Sequence, residues 1–167
     1  WIMVNTALTN KIVQEGIELN SFKELSQYNY FASEVKIGKS RIDFLLSSDP
    51  IDKKNLDLQN SKKKFNFVEV KNVSLNIEGQ AQFPDAVSTR GQKHLEELIQ
   101  LKEEGHEATM LYIISREDTV GFNVSEVDPR YKELLIKAWD KGVNILAYQL
   151  KLTPTQISIA KSVDIQL

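Results

Sequence analysis

Cysteine is absent from the 167 residues, so disulfides, thiolate-bound zinc and a cysteine nucleophile are excluded. Histidine occurs only as His94 and His106, too few for a metal site built on imidazole. The seven glycines are scattered, so neither a phosphate-cradling loop nor a dinucleotide fingerprint can be drawn. No apolar run approaches the roughly 20 residues of a membrane span, and the start is too short for a signal peptide core. A cytoplasmic protein with no membrane partner is the expectation. Basic residues do not dominate either: 21 Lys and Arg stand against 23 Asp and Glu, a net charge of −2. Any contact with a polyanion must therefore come from a local patch. What the chain does have is 41% apolar and 26% charged residues, enough for one globular domain over 1–167 with a real core. Hard, oxygen-liganded metals stay open.

Thr9 reads as the N-cap of a helix over 10–19. Strand-like alternation over 30–37 and 41–46, separated by Gly38-Lys39-Ser40, predicts a hairpin. Residues 47–64 hold few apolar side chains and read as a solvated loop. Residues 65–75, rich in β-branched and aromatic types, make the best central strand. A helix over 89–104 ends at Gly105, where helices favour glycine. A buried strand over 108–114 follows, then a helix opened by Asp128-Pro129, running to Lys141 and closed by Gly142. A strand over 143–152 and a weaker segment around 157–159 complete the order. The fold class is α/β, a mixed central sheet with helices packed on it.

Within Phe67-Val68-Glu69-Val70-Lys71 the period of two sends Glu69 and Lys71 to one face. Arg41, Asp43 and Leu45 share a face of their own strand, opposite Ile42, Phe44 and Leu46, so Asp43 can stand beside Glu69. Two carboxylates and the carbonyl of Val70 suit Mg2+ or Mn2+, with positions left for water and a phosphate oxygen. Lys71 would act as a base or as a fixed charge on the transition state. An acid and a base two apart on a strand are also an everyday solvated face. On the next helix, at about 100° per residue from Arg90, His94 falls at about 40°, inside the apolar arc, and Lys93 at about 300°. Its first turn thus aims basic groups partly at the sheet, near free amides that favour an anion. Glu34 is a candidate third acid. Asp85 either extends the acidic cluster or caps the helix.

The segments Ser40-Arg41-Ile42-Asp43-Phe44-Leu45-Leu46, Phe67-Val68-Glu69-Val70-Lys71-Asn72-Val73-Ser74-Leu75 and Phe83-Pro84-Asp85-Ala86-Val87-Ser88-Thr89-Arg90-Gly91-Gln92-Lys93-His94-Leu95 resemble the sugar fermentation stimulation protein family, SfsA. That resemblance implies a prokaryotic cytoplasmic protein that binds DNA and is linked to regulation of sugar (maltose) metabolism. It also implies a domain similar to the restriction-endonuclease-like PD-(D/E)xK nucleases, preceded by an N-terminal OB-like barrel. On that pattern Asp43 is the first carboxylate, and Glu69 and Lys71 form the second element. Ile42, where the nuclease pattern has proline, departs from it. The start on Trp1, with strand-like residues 1–4, is read as the remnant strand or linker of a barrel missing from this chain.

The primary expectation is a DNA-binding protein with a magnesium-dependent phosphodiesterase site. The alternative is a non-catalytic DNA-binding regulator that keeps the nuclease fold. A metal-dependent hydrolase of a small phosphorylated metabolite is a third reading. DNA contact would rest on Lys36, Lys39, Arg41, Lys62, Lys63, Lys64, Arg90 and Lys93, with steep salt dependence and little sequence specificity. A homo-oligomer is left open.

Overall fold

The computed structural model describes residues 1–38, 40–56 and 64–167. Lys39, Lys62 and Lys63, with part of the expected 47–64 loop, lie outside the described residues.

The chain begins with a 3-10 turn (Thr6–Leu8) that runs directly into α1 (Thr9–Glu18). Asn5, not Thr9, supplies the side-chain cap, accepting from the Ala7 N–H at 3.2 Å. Thr9 is instead inside the helix and buried, because its hydroxyl has a long-range partner in Asn72. The hairpin forms as β1 (Tyr30–Ile37) and β2 (Ser40–Ser47), turned at Gly38 with φ +56°. Then come β3 (Asn66–Val73), β4 (Leu75–Ile77) and β5 (Gln80–Phe83). After these follow α2 (Thr89–Glu103), β6 (Glu107–Ile114), β7 (Gly121–Val124), α3 (Pro129–Asp140), β8 (Asn144–Leu152), β9 (Ile157–Ser162) and β10 (Ile165–Gln166). Both long helices close on glycine, Gly105 at φ +92° and Gly142 at φ +83°, where a side chain would strain the left-handed turn.

Two mixed sheets flanked by helices make up the architecture. The larger has the order β1-β2-β3-β6-β8-β9, with parallel pairing at its centre and antiparallel strands outside. The smaller, β10-β7-β5-β4, has no counterpart in the sequence reading, which ran residues 65–75 as one strand. That strand breaks at Ser74, and Leu75 onward turns back as the β4–β5 hairpin. The described residues of the expected 47–64 loop are mostly exposed, with Ile51 and Leu56 half-buried against the core. Residues 1–4 form no strand. Ile2 makes an isolated bridge to Arg116, and the Met3 N–H donates to the Ser115 carbonyl at 2.9 Å.

The central strands are covered on both faces, which explains their unbroken apolar runs. Along β6, Met110, Tyr112 and Ile114 join α2, α3 and the smaller sheet, while Leu111 and Ile113 join α1 and Phe22 on the opposite side. Among the described residues, no helix is long and apolar enough to cross a membrane.

Candidate functional site

β3 is hydrogen-bonded to β6 along its whole length, from Asn66 opposite Glu107 to Val73 opposite Ile114. Its other edge meets β2 only from Asn66 to Val68. Beyond Val68 the two strands part, and the residues expected to do chemistry stand around that opening.

The parting has a local origin. Glu34, directly across from Asp43 in the hairpin, has φ +54°, a left-handed conformation that non-glycine residues rarely adopt. On either side of this pair the strands exchange faces. Ile42 and Leu45 both join the α2 side of the core, whereas Phe44 and Leu46 join the α1 side. The simple alternation that set Arg41, Asp43 and Leu45 opposite Ile42 is therefore incorrect for Ile42. Asp43 reaches the site by another route: its carboxylate replaces a missing ladder partner and accepts the Val70 N–H at 2.8 Å through Oδ2. Through Oδ1 it accepts from the Asn10 carboxamide, also at 2.8 Å.

Glu69 and Lys71 point together toward α2. The Lys71 ammonium donates to Glu69 Oε1 at 2.7 Å and lies 2.9 Å from His94 Nδ1, which itself contacts the same Glu69 oxygen. His94 is buried, as its place in the apolar arc requires, and Arg90 Nε sits 3.5 Å from its other ring nitrogen. The two carboxylates are tuned in opposite directions. Burial, and then the charge of Glu69, push the Asp43 carboxyl up. Burial would also raise Glu69, but the His94 hydrogen bond and the charge of Lys71 outweigh it and hold the group below its ordinary value.

These residues line an open polar pocket of about 340 Å³. Asp43, Glu69, Val70, Lys71 and Asn72 form its floor, Arg90 one rim, and Thr6, Ala7, Thr9 and Asn10 the wall supplied by α1 and its preceding turn. The wall is the part that site reasoning from the sequence missed. An asparagine in a first helical turn carries no local sign that it will meet an aspartate 33 positions away. Thr9 reads from the sequence only as a cap.

Other candidates lie elsewhere. Glu34 is exposed and ion-paired with Arg41 at 3.2 Å, outside the pocket. Asp85 is exposed and does not cap α2. Ser88 does, its hydroxyl accepting from the Gly91 N–H at 3.0 Å. Lys93 reaches the Ser40 hydroxyl at 2.9 Å, which brings the start of α2 beside the hairpin tip carrying Arg41 and Lys36. Among the described residues, no group of three or more His, Asp or Glu side chains is arranged to hold a metal. The oxygen donors present are two carboxylates and the main chain. α2 itself is held in place by Asp128, whose buried carboxylate caps α3 through the Tyr131 N–H and also accepts from the Ser88 N–H and the Gln92 carboxamide.

An α/β domain with a polar pocket at the point where two central strands separate is thus defined. The sequence profile of the sugar fermentation stimulation protein RE domain matches residues 7–156. A sugar fermentation stimulation protein homolog of Synechococcus sp. (strain JA-2-3B'a(2-13)) is 40% identical over 158 residues, covering 94% of this chain and 61% of that protein. The homolog of Geobacter sp. (strain M21) is 39% identical, covering all of this chain and 68% of that protein. A solved structure, Pyrococcus furiosus SfsA in complex with Ca2+, matches with a TM-score of 0.84 and 28% identity over 99% of this chain and 67% of that one. This chain belongs to the sugar fermentation stimulation protein family and spans about two thirds or less of the length of these relatives.

Proposed function

We propose that the domain is a nuclease-like, restriction-endonuclease-type module that binds DNA and hydrolyses phosphodiesters with a divalent cation. The observation that carries this reading is the meeting of Asp43, Glu69 and Lys71 where β2 leaves β3. Within a strand, a residue's N–H and C=O point to the same edge. The Val70 N–H points to Asp43, so its carbonyl faces the same gap. Two carboxylates and a carbonyl, all oxygen, fit Mg2+ or Mn2+, which accept few protein ligands and keep several waters. The relative whose structure contains Ca2+ supports a hard-cation site here too.

When bound, such a cation supplies Lewis-acid polarisation of a phosphoryl oxygen. The chain's own groups do the rest. Asp43 and Glu69 hold the cation, Lys71 places a positive charge beside the reacting phosphate, and His94 orients Glu69. Arg90 on the rim grips the phosphate, and the exposed Lys93, Arg41 and Lys36 extend a basic track along which DNA would lie. These are backbone contacts, so little sequence specificity is expected.

One observation favours the alternative of a non-catalytic DNA-binding regulator: Glu69 is already engaged by both Lys71 and His94. Supercoiled plasmid and a labelled single strand, incubated in Mg2+, Mn2+ or chelator, separate the two readings. Metal-dependent nicking that falls at least a hundredfold in Glu69→Gln and Lys71→Ala establishes the phosphodiesterase. DNA retardation without cut products, unchanged in both variants and in chelator, establishes the binding protein.

A further inference from the structure

We infer that Asn10 is a positioning residue for the cation site, holding the Asp43 carboxylate in the orientation that a small divalent ion requires. The inference rests on the metal-dependent reading above and adds to it a residue that has no part in the acidic motif.

Asp43 has one donor on each oxygen, the Val70 N–H on Oδ2 and the Asn10 carboxamide on Oδ1, both at 2.8 Å. A carboxylate held by a single donor still turns about its terminal torsion, because that torsion is broad and only about twofold. The second donor removes this freedom. Each oxygen retains a further lone pair for a cation. Asn10 can do this because α1 is itself fixed to the sheet. Ile12 and Val13 are buried in the core beneath it, and the neighbouring Thr9 hydroxyl donates to Asn72 Oδ1 at 3.2 Å. The helix therefore works as a clamp across the opening, gripping β3 through Thr9 and β2 through Asn10. Both residues line the pocket.

Mg2+ tolerates little departure from octahedral geometry, whereas Ca2+ accepts flexible coordination. Loosening Asp43 should consequently cost Mg2+ more than Ca2+. Calorimetric titration of MgCl2 and of CaCl2 into the wild-type chain, Asn10→Ala and Asn10→Leu tests this without any activity measurement. Asn10→Leu keeps the volume and loses the donor, and thermal melting in chelator shows whether each variant is folded. The expected result is a Mg2+ Kd raised about tenfold and a Ca2+ Kd raised less than threefold in a folded variant. Unchanged Mg2+ binding overturns the inference. So does equal weakening for both ions, which marks a merely structural role. If the wild type takes up neither ion, the metal reading itself falls, and the inference with it.

Discussion

The two edges of β3 follow opposite rules although they belong to the same eight residues. Toward β6 the ladder is complete, with Leu111 and Ile113 sealed beside Val70 and Asn72. Toward β2 the ladder stops after Val68, and side chains take over the pairing. The lesson is one of division of labour: continuous hydrogen bonding and apolar burial on one edge create the rigid base from which polar groups on the other can be aimed. A carboxylate can stay in such an opening only because backbone and carboxamide donors satisfy it there.

Leu111→Ala on the sealed edge should have the largest effect, about 3 kcal/mol of lost stability, read from urea unfolding. A loss under about 1 kcal/mol would mean that the base is not rigid. Next is Gly91→Ala. A Cβ there would come within 2.7 Å of the Ser88 hydroxyl and 2.9 Å of the Tyr131 ring, so about 2 kcal/mol is expected from overpacking. His94 would shift with α2.

The open edge gives smaller and opposed effects. At neutral pH in chelator, Asp43→Asn should raise Tm by roughly 2–4 °C, because a burial-disfavoured charge beside Glu69 disappears and Asn10 can turn its carboxamide to pair with the new one. Glu69→Gln should lower Tm by leaving Lys71 and His94 without their anion. The pH dependence follows the same signs. The folded Asp43 carboxyl lies above its ordinary 3.8, so its contribution to stability grows as pH falls from the raised value toward 3.8. Glu69 lies below its ordinary 4.5, so its contribution is present above 4.5 and is lost as pH falls through the lowered value. Melting curves from pH 3 to 7 on wild type and both variants measure each limb, and a Tm change of the same sign in the two variants would break the contrast. The smallest effect belongs to Glu34→Gly, which relieves the left-handed backbone at the cost of an exposed ion pair. A gain of up to about 1 kcal/mol is expected, and a loss would mean that the Arg41 contact matters more than the strain.

Much of this domain is legible in the sequence. The helix over 89–104 and the helix opened by Asp128-Pro129 carry their own punctuation, in Ser88, Gly105, Pro129 and Gly142, so local backbone chemistry determined them almost to the residue. Val68 to Lys71 likewise announced a strand with Glu69 and Lys71 on one face, because side chains in a strand must alternate. The smaller sheet was hidden, since β4, β5, β7 and β10 have two to four residues each and acquire strand geometry only from one another. The site divided along the same line. Composition, period and motif singled out Asp43, Glu69, Lys71 and His94 one by one. Only tertiary structure decided that Asp43 arrives through a break in alternation at Glu34 and that Asn10 closes the wall. Each of those depends on contacts between distant segments, and the energy of such contacts is invisible in a run of neighbouring residues.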